Sequence, residues 1–230
     1  MWYNNRKEIL DNFKRGKGLK EKKYTAGDFI IAALCSLTVI CLAVSITVWF
    51  RPLYYLDMKL LDIPEQSGYS EEICRENYDV LIDYNVIGGS SELEFPDMQI
   101  SEHGRIHFEE VKRIFIFMQI EALAGIAVLA AVYFRKKRKG WMHLTGFVTA
   151  VIAASVLLSV VIDWEWAFET MHSLLFDNDY WLFNPKTDPV IKILPDEFFM
   201  HCGIMIIGLT AAFTAGLEAL YRRKKKDEKA

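Results

Sequence analysis

Four apolar runs, each long enough to cross a membrane, constrain this 230-residue chain more than any other feature. A hydrocarbon core about 30 Å thick takes roughly 20 helical residues. Residues 29–50, 114–134, 142–162 and 198–221 each reach that length. An isolated strand in lipid would leave its backbone groups unpaired, so each run is read as a helix. The expected class is an all-α membrane protein built on a bundle of four transmembrane helices.

Charge sets the orientation. The net charge of -3 hides a strong segregation. Lys14, Arg15, Lys17, Lys20, Lys22 and Lys23 precede the first run, in a tail of residues 1–28. Arg135, Lys136, Lys137, Arg138 and Lys139 fill the turn 135–141. Arg222, Arg223, Lys224, Lys225 and Lys226 lie in the tail 222–230. When the runs alternate direction, all three clusters fall on one side, and the positive-inside rule makes that side cytoplasmic. Both termini are then cytoplasmic, and residues 51–113 and 163–197 face outward. Aromatic residues mark the boundaries, with Trp49, Phe50, Tyr54 and Tyr55 at one and Tyr133, Phe134 and Trp141 at another. The first run follows a long charged stretch and ends without a small-x-small site, so it reads as an uncleaved span. Charge divided in this way does not form the single basic face that a nucleic-acid binder needs.

Residues 51–113 are too many for a simple turn. They hold apolar clusters at 78–82 and 93–95, separated by Gly88-Gly89. A small folded extracytoplasmic cap with strands or short helices is expected there, and residues 108–112 should continue as helix into the second run.

Among side chains able to carry chemistry, His107 and His172 stand out by position. Each lies a few turns outside an apolar run, on the expected outer surface. Histidine is the side chain suited to proton movement near neutral pH; the competing reading is a structural, hydrogen-bonded interfacial histidine. His103 and His107 have the i, i+4 spacing of a metal pair, but Gly104 lies between them and no HExxH pattern is present, so no metal is assigned. His143 reads as an interface residue beside the basic turn. Glu121 lies two turns inside the second run, where a carboxylate normally faces the bundle interior. It reads as a packing group, either protonated or paired with Lys112, Arg113 or His201. His201, in the first turns of the fourth run, is a second intramembrane polar candidate. Cys35 and Cys41 read as small apolar side chains, and no spacing demands a Cys74–Cys202 disulfide. The chain has no GxSxG elbow and no P-loop.

Two blocks in the outer segments carry a family resemblance. The first runs from Asn77-Tyr78 to Leu81, then Leu93-Glu94-Phe95-Pro96, then Ser101-Glu102-His103-Gly104-Arg105-Ile106-His107-Phe108-Glu109-Glu110-Val111-Lys112. The second comprises Phe168-Glu169-Thr170-Met171-His172, Trp181-Leu182-Phe183-Asn184, Asp188-Pro189-Val190-Ile191 and Leu194-Pro195-Asp196-Glu197-Phe198-Phe199. In order and approximate spacing these blocks resemble Lit, the bacterial four-span lipoprotein intramolecular transacylases. The resemblance implies a plasma-membrane acyltransferase acting on a diacylglyceryl lipoprotein among membrane lipids. An acyl chain leaves the sn-2 ester and ends on the α-amine of the N-terminal cysteine, giving a lyso-form lipoprotein. It also implies that His107 and His172 are the catalytic pair.

That chemistry suits the residues. An α-amine with a pKa near 8 is largely protonated at neutral pH, so a histidine must take up its proton and return it to the departing glycerol oxygen. Both reacting groups belong to one molecule, so positioning supplies much of the rate. Ester-to-amide conversion is downhill and calls for no cofactor. Asn77, Lys112 and Trp181 are oxyanion or substrate-binding candidates by donor chemistry. Aromatic walls are expected from Trp164, Trp166, Phe168, Trp181 and Phe183. Against the enzyme stands a non-enzymatic scaffold that binds a partner through its acidic cap. The enzyme needs the two histidines close together in one site; the scaffold does not.

Overall fold

The computed structural model describes residues 24–136 and 139–227. The basic residues of the N-terminal tail up to Lys23, together with Lys137 and Arg138, lie outside the described residues. Everything described is helix, turn or loop. The helices are α1 (Ala26–Trp49), α2 (Pro52–Leu60), α3 (Ile63–Ser67), α4 (Glu71–Tyr84), α5 (Glu102–Arg135), α6 (Gly140–Ile162), α7 (Trp164–Leu175), a 3₁₀ turn (Pro189–Ile193) and α8 (Asp196–Asp227).

Helices α1, α5, α6 and α8 contain the apolar runs and are long and apolar enough to span a bilayer. α1 is the central member and packs against the other three. Lipid tails are as apolar as leucine, so such helices associate through close packing and polar contacts. The α1 face supplies small residues, among them Ala32, Cys35, Ser36 and Ala43, all nearly inaccessible. Hydroxyls buried in these helices bond their own backbone, as Ser36 does to the Ala32 carbonyl (2.9 Å) and Thr145 to that of Trp141 (2.9 Å). At Gly125 on α5 a Cβ would come within 2.1 Å of the Thr38 hydroxyl, so only glycine allows α1 and α5 to approach this closely.

The helices alternate in direction. Asp28 at the start of α1 pairs with Lys136 beyond the end of α5 at 2.5 Å. His143 at the start of α6 pairs with Glu218 near the end of α8 at 2.9 Å. One end of the bundle therefore gathers Arg135, Lys136 and Lys139 with the run 222–226. The other end carries the cap.

Of the strands or short helices expected for the cap, helices form, and the strand alternative is corrected: no strand occurs among the described residues. The apolar cluster at 78–82 belongs to α4, whose buried positions Cys74, Asn77, Tyr78, Leu81 and Ile82 follow a 3.6-residue period rather than a period of two. Ser70 caps this helix by accepting from the Ile73 N–H, and Glu71 and Glu72 complement its dipole. Leu93 and Phe95 alternate inward as in a strand, but no second segment pairs with them among the described residues. The cap core is aromatic. Tyr54 stacks on Tyr78 with centroids 3.8 Å apart, Phe198 of α8 meets both edge-on, and the Tyr54 hydroxyl donates to the Ile193 carbonyl at 2.9 Å.

Candidate active site

The site lies where the cap meets the bundle, and α5 and α7 build it. Ser101 caps α5 by accepting from the Gly104 N–H at 3.0 Å. The Ser101 N–H in turn donates to Asp188 at 2.7 Å. Asp188 lies so close that a Cβ on Gly104 would come within 2.4 Å of its carboxylate. This glycine therefore admits the anchor that fixes the start of α5, three residues before His107.

α7 follows α6 with a single residue between them. Asp163 ends α6 and caps α7, accepting from the Trp166 N–H at 2.9 Å. At 100° per residue α7 has three sectors. Glu165, Glu169 and Ser173 form a polar stripe, and Trp166, Leu174 and Met171 form an exposed apolar one, with Leu174 80% exposed. Phe168 and His172 turn toward the protein.

His107 and His172 meet there with ring centroids 6.1 Å apart, and both are buried. Aromatic rings enclose them. Phe176 lies 4.8 Å from His107 and 5.8 Å from His172, Phe183 stands edge-on to His107 at 5.4 Å, and Trp181 stacks on His172 at 4.6 Å. Phe168 lies 4.2 Å from His172, and its carbonyl accepts from His172 Nδ1 at 2.8 Å. A carbonyl only accepts, so Nδ1 carries the proton, and in the neutral ring Nε2 keeps its lone pair. His107 Nδ1 is buried without a hydrogen-bond partner among the described residues. Burial in this apolar enclosure, and secondarily the neighbouring His172, lowers the His107 pKa from 6.5 to about 4. Burial also lowers that of His172, against the bond to Phe168, which raises it. Both rings are therefore neutral at physiological pH.

The remaining sequence candidates scatter. Asn77 spends both amide hydrogens inside the cap, on the Ile73 carbonyl (2.8 Å) and on Asp97 (3.2 Å). Lys112 donates to the Ser90 carbonyl and lies over the Tyr84 ring. Trp181 alone of the three candidate donors lies against the histidines, and its indole N–H donates to no described residue. Of the other expected wall residues, Phe168 and Phe183 line the site, Trp164 reaches it through Phe168 at 5.6 Å, and Trp166 faces away.

Glu121 accepts from Thr38 at 3.0 Å, and its second oxygen is buried without a partner among the described residues. The cations considered for it lie elsewhere: Lys112 at the Ser90 carbonyl, Arg113 with Glu109 at 2.5 Å, and His201 with the buried Asp57 of α2 at 2.9 Å. Glu121 thus serves packing between α1 and α5, and His201 ties the cap to α8. His103 stacks on Tyr180 at 4.1 Å. The cysteines are all free. A solvent-open groove of about 550 Å³ beside Tyr133, Leu220 and Arg223 lies at the basic end, far from the histidines.

A family model described as lipoprotein intramolecular transacylase Lit matches residues 29–199. The chain belongs to the Lit family. It also resembles the solved structure of the membrane-integral lipoprotein intramolecular transacylase Lit from Bacillus cereus, at 32% identity and a TM-score of 0.81, over 88% of this chain and 97% of that one. Two variants of the Bacillus cereus protein, with one histidine replaced by arginine or by alanine, match at 31% identity and a TM-score of 0.77, covering 88% of this chain and 92% or 93% of theirs. A search of curated proteins returned no match. This Lit member is thus a multi-pass membrane enzyme, a lipoprotein intramolecular transacylase.

Sequence reasoning gave no role to Phe176, Asp188, Glu110 or Asn178, although Glu110 and Asp188 stand within the two quoted blocks. Phe176 was accessible in principle, since it follows His172 by four residues and so shares its face. Asn178 donates to both oxygens of Glu110, at 3.1 and 3.2 Å, across 68 residues of sequence, a pairing that no local pattern announces.

Proposed function

We propose that this enzyme works at the outer face of a bacterial plasma membrane with both termini in the cytoplasm. The cap (residues 51–113) and the segment 163–197 are then outside. The basic residues gathered at the end of the bundle remote from the cap support this orientation through the positive-inside rule. Reporter fusions after Lys139 and after Lys226 should register as cytoplasmic and one near Gly89 as external; an external signal from either basic site overturns it.

The acyl chain moves from the sn-2 ester of the diacylglyceryl group to the α-amine of the N-terminal cysteine. The amine nitrogen attacks the ester carbonyl carbon. His172 Nε2 takes the proton that nitrogen releases, and the histidine pair returns it to the sn-2 oxygen as the ester C–O bond breaks. One amide and one free hydroxyl form, so atoms and protons balance without a cofactor. The indole N–H of Trp181, whose ring stacks on His172, is assigned as the oxyanion donor. Aromatic walls keep both imidazoles neutral and exclude water that would otherwise hydrolyse the ester.

The observation carrying this reading is the convergence of two buried, neutral histidines, one with its Nδ1 proton committed to a backbone carbonyl. A scaffold gives no reason for it. The test is expression in a lipoprotein-producing bacterium lacking the activity, followed by mass spectrometry of a lipoprotein N-terminus. Wild type should yield the N-acylated lyso form, and His107→Ala and His172→Ala should each lower the rate about 10²–10⁴-fold while inserting normally. Near-full activity in either purified variant removes that histidine from the mechanism.

A further inference from the structure

The segment 176–183, between α7 and the 3₁₀ turn, lies as a strap along one stripe of α5. His103, His107 and Glu110 occupy i, i+4 and i+7 of that helix, and all three grip the strap. His103 stacks on Tyr180, His107 meets Phe176 and Phe183, and Glu110 takes Asn178. Asn178 is fixed from its other side too, because its Oδ1 accepts the Tyr180 N–H at 3.1 Å. The Glu110 carboxylate is therefore held in a set orientation one helical turn from His107, where Cβ atoms are about 5–6 Å apart.

This carboxylate has no cationic partner among the described residues. The nearest basic side chains on α5 are committed elsewhere: Arg105 to the Leu93 carbonyl, Lys112 to the Ser90 carbonyl and Arg113 to Glu109. Two more acids, Asp177 and Asp179, sit exposed on the strap and form no ion pair among the described residues. A neutral amide orients a carboxylate without cancelling its charge, and it leaves lone pairs free. The strap beside the aromatic enclosure thus carries negative charge with no cation paired to it among the described residues.

We infer that Glu110 binds the α-ammonium of the substrate's N-terminal cysteine. This rests on the transacylase chemistry above, in which that ammonium is the cation next to the reacting atoms. The thioether and the glyceryl esters beside it are uncharged. A carboxylate at this point captures the amine in its resting, protonated form and aims it at the histidines one turn away. The captured ammonium gives up one proton to solvent before its nitrogen attacks; the remaining N–H proton released on attack then follows the route through His172 to the sn-2 oxygen. Asn178 acts through Glu110 as a positioning residue.

The test uses full-length enzyme in lipid nanodiscs and an unreactive ligand, a diacylglyceryl-cysteine peptide with an ether in place of the sn-2 ester. One version has a free α-amine and the other is N-acetylated. Glu110→Gln keeps an oxygen for Asn178 and removes the charge. It should weaken the free-amine ligand about tenfold or more, the effect of losing a charge-assisted hydrogen bond, and leave the N-acetyl ligand unchanged. Equal weakening of both ligands assigns Glu110 to strap structure alone and overturns the proposal, as does no weakening of either. Wild type binding the two ligands equally also overturns it. Wild type binding neither defeats the lipoprotein reading itself, and the Glu110 subsite with it.

Discussion

Acidification should weaken the fold through His107, and the size of the effect follows from its burial. The ring is 5% exposed, and its pKa is lowered from 6.5 to about 4. Below the unfolded value, the unfolded chain binds a proton that the folded chain refuses. Stability is then lost as pH falls from 6.5 toward 4, and the loss levels off below that. Each unit of difference corresponds to about 1.4 kcal/mol, so this one side chain should contribute a loss of order 3 kcal/mol across the window. His107→Gln abolishes that titration and leaves His172 in place. Denaturant unfolding of detergent-solubilised enzyme at a series of pH values in the window should give a shallower acid slope for the variant. The difference should concentrate between about pH 6.5 and 4. Parallel slopes for wild type and variant would refute the claim that His107 is kept neutral by burial. A steeper variant slope would do the same.

Three further outcomes are expected. Gly104→Ala should destabilise the protein by about 2–4 kcal/mol despite better helix propensity, because the new methyl displaces Asp188 from the Ser101 N–H; thermal unfolding at unchanged midpoint contradicts this. Trp181→Phe, which keeps a ring against His172 and deletes the donor, should lower kcat about 10²–10³-fold with little change in KM; an unaltered kcat removes Trp181 from the oxyanion site. Asn77→Ala should cost about 1–3 kcal/mol of stability while the folded fraction retains its kcat, since the Asn77 amide is spent within the cap; a selective loss of kcat would return Asn77 to the chemistry.

The bundle was legible because lipid imposes a length and a composition that few soluble helices meet, and residues 29–50 or 142–162 show both without help from context. The cap was less so. Its apolar letters at 78–82 form a run, and only burial reveals that Cys74, Asn77, Tyr78 and Leu81 share one helical face. The two histidines could be singled out because each stands just outside an apolar run. Their catalytic pairing came from the family resemblance, and their mutual distance from the structure. Donor chemistry alone proposed Asn77 and Lys112, whose partners Asp97 and the Ser90 carbonyl take them out of play. Glu110 and Asp188 stood in the quoted blocks without a role for the opposite reason: what makes them notable is a partner on a distant segment.

The one-residue joint at Asp163 has a mechanical consequence. α7 hangs directly from a membrane-spanning helix, with no loop to absorb motion, and it carries His172. His107 rides on a different spanning helix, α5, whose start is anchored to Asp188. A spanning helix tilts when its apolar length and the bilayer thickness disagree. Tilt in α6 acts as a lever on α7 and changes the gap between the two imidazoles, whereas a flexible linker would have let α7 stay in place. The enzyme should therefore have an optimal bilayer thickness, with turnover falling in both thinner and thicker membranes of matched headgroup. Inserting a short glycine linker after Asp163 should flatten that dependence while lowering the peak; a thickness profile unchanged by the linker would show that the joint transmits nothing.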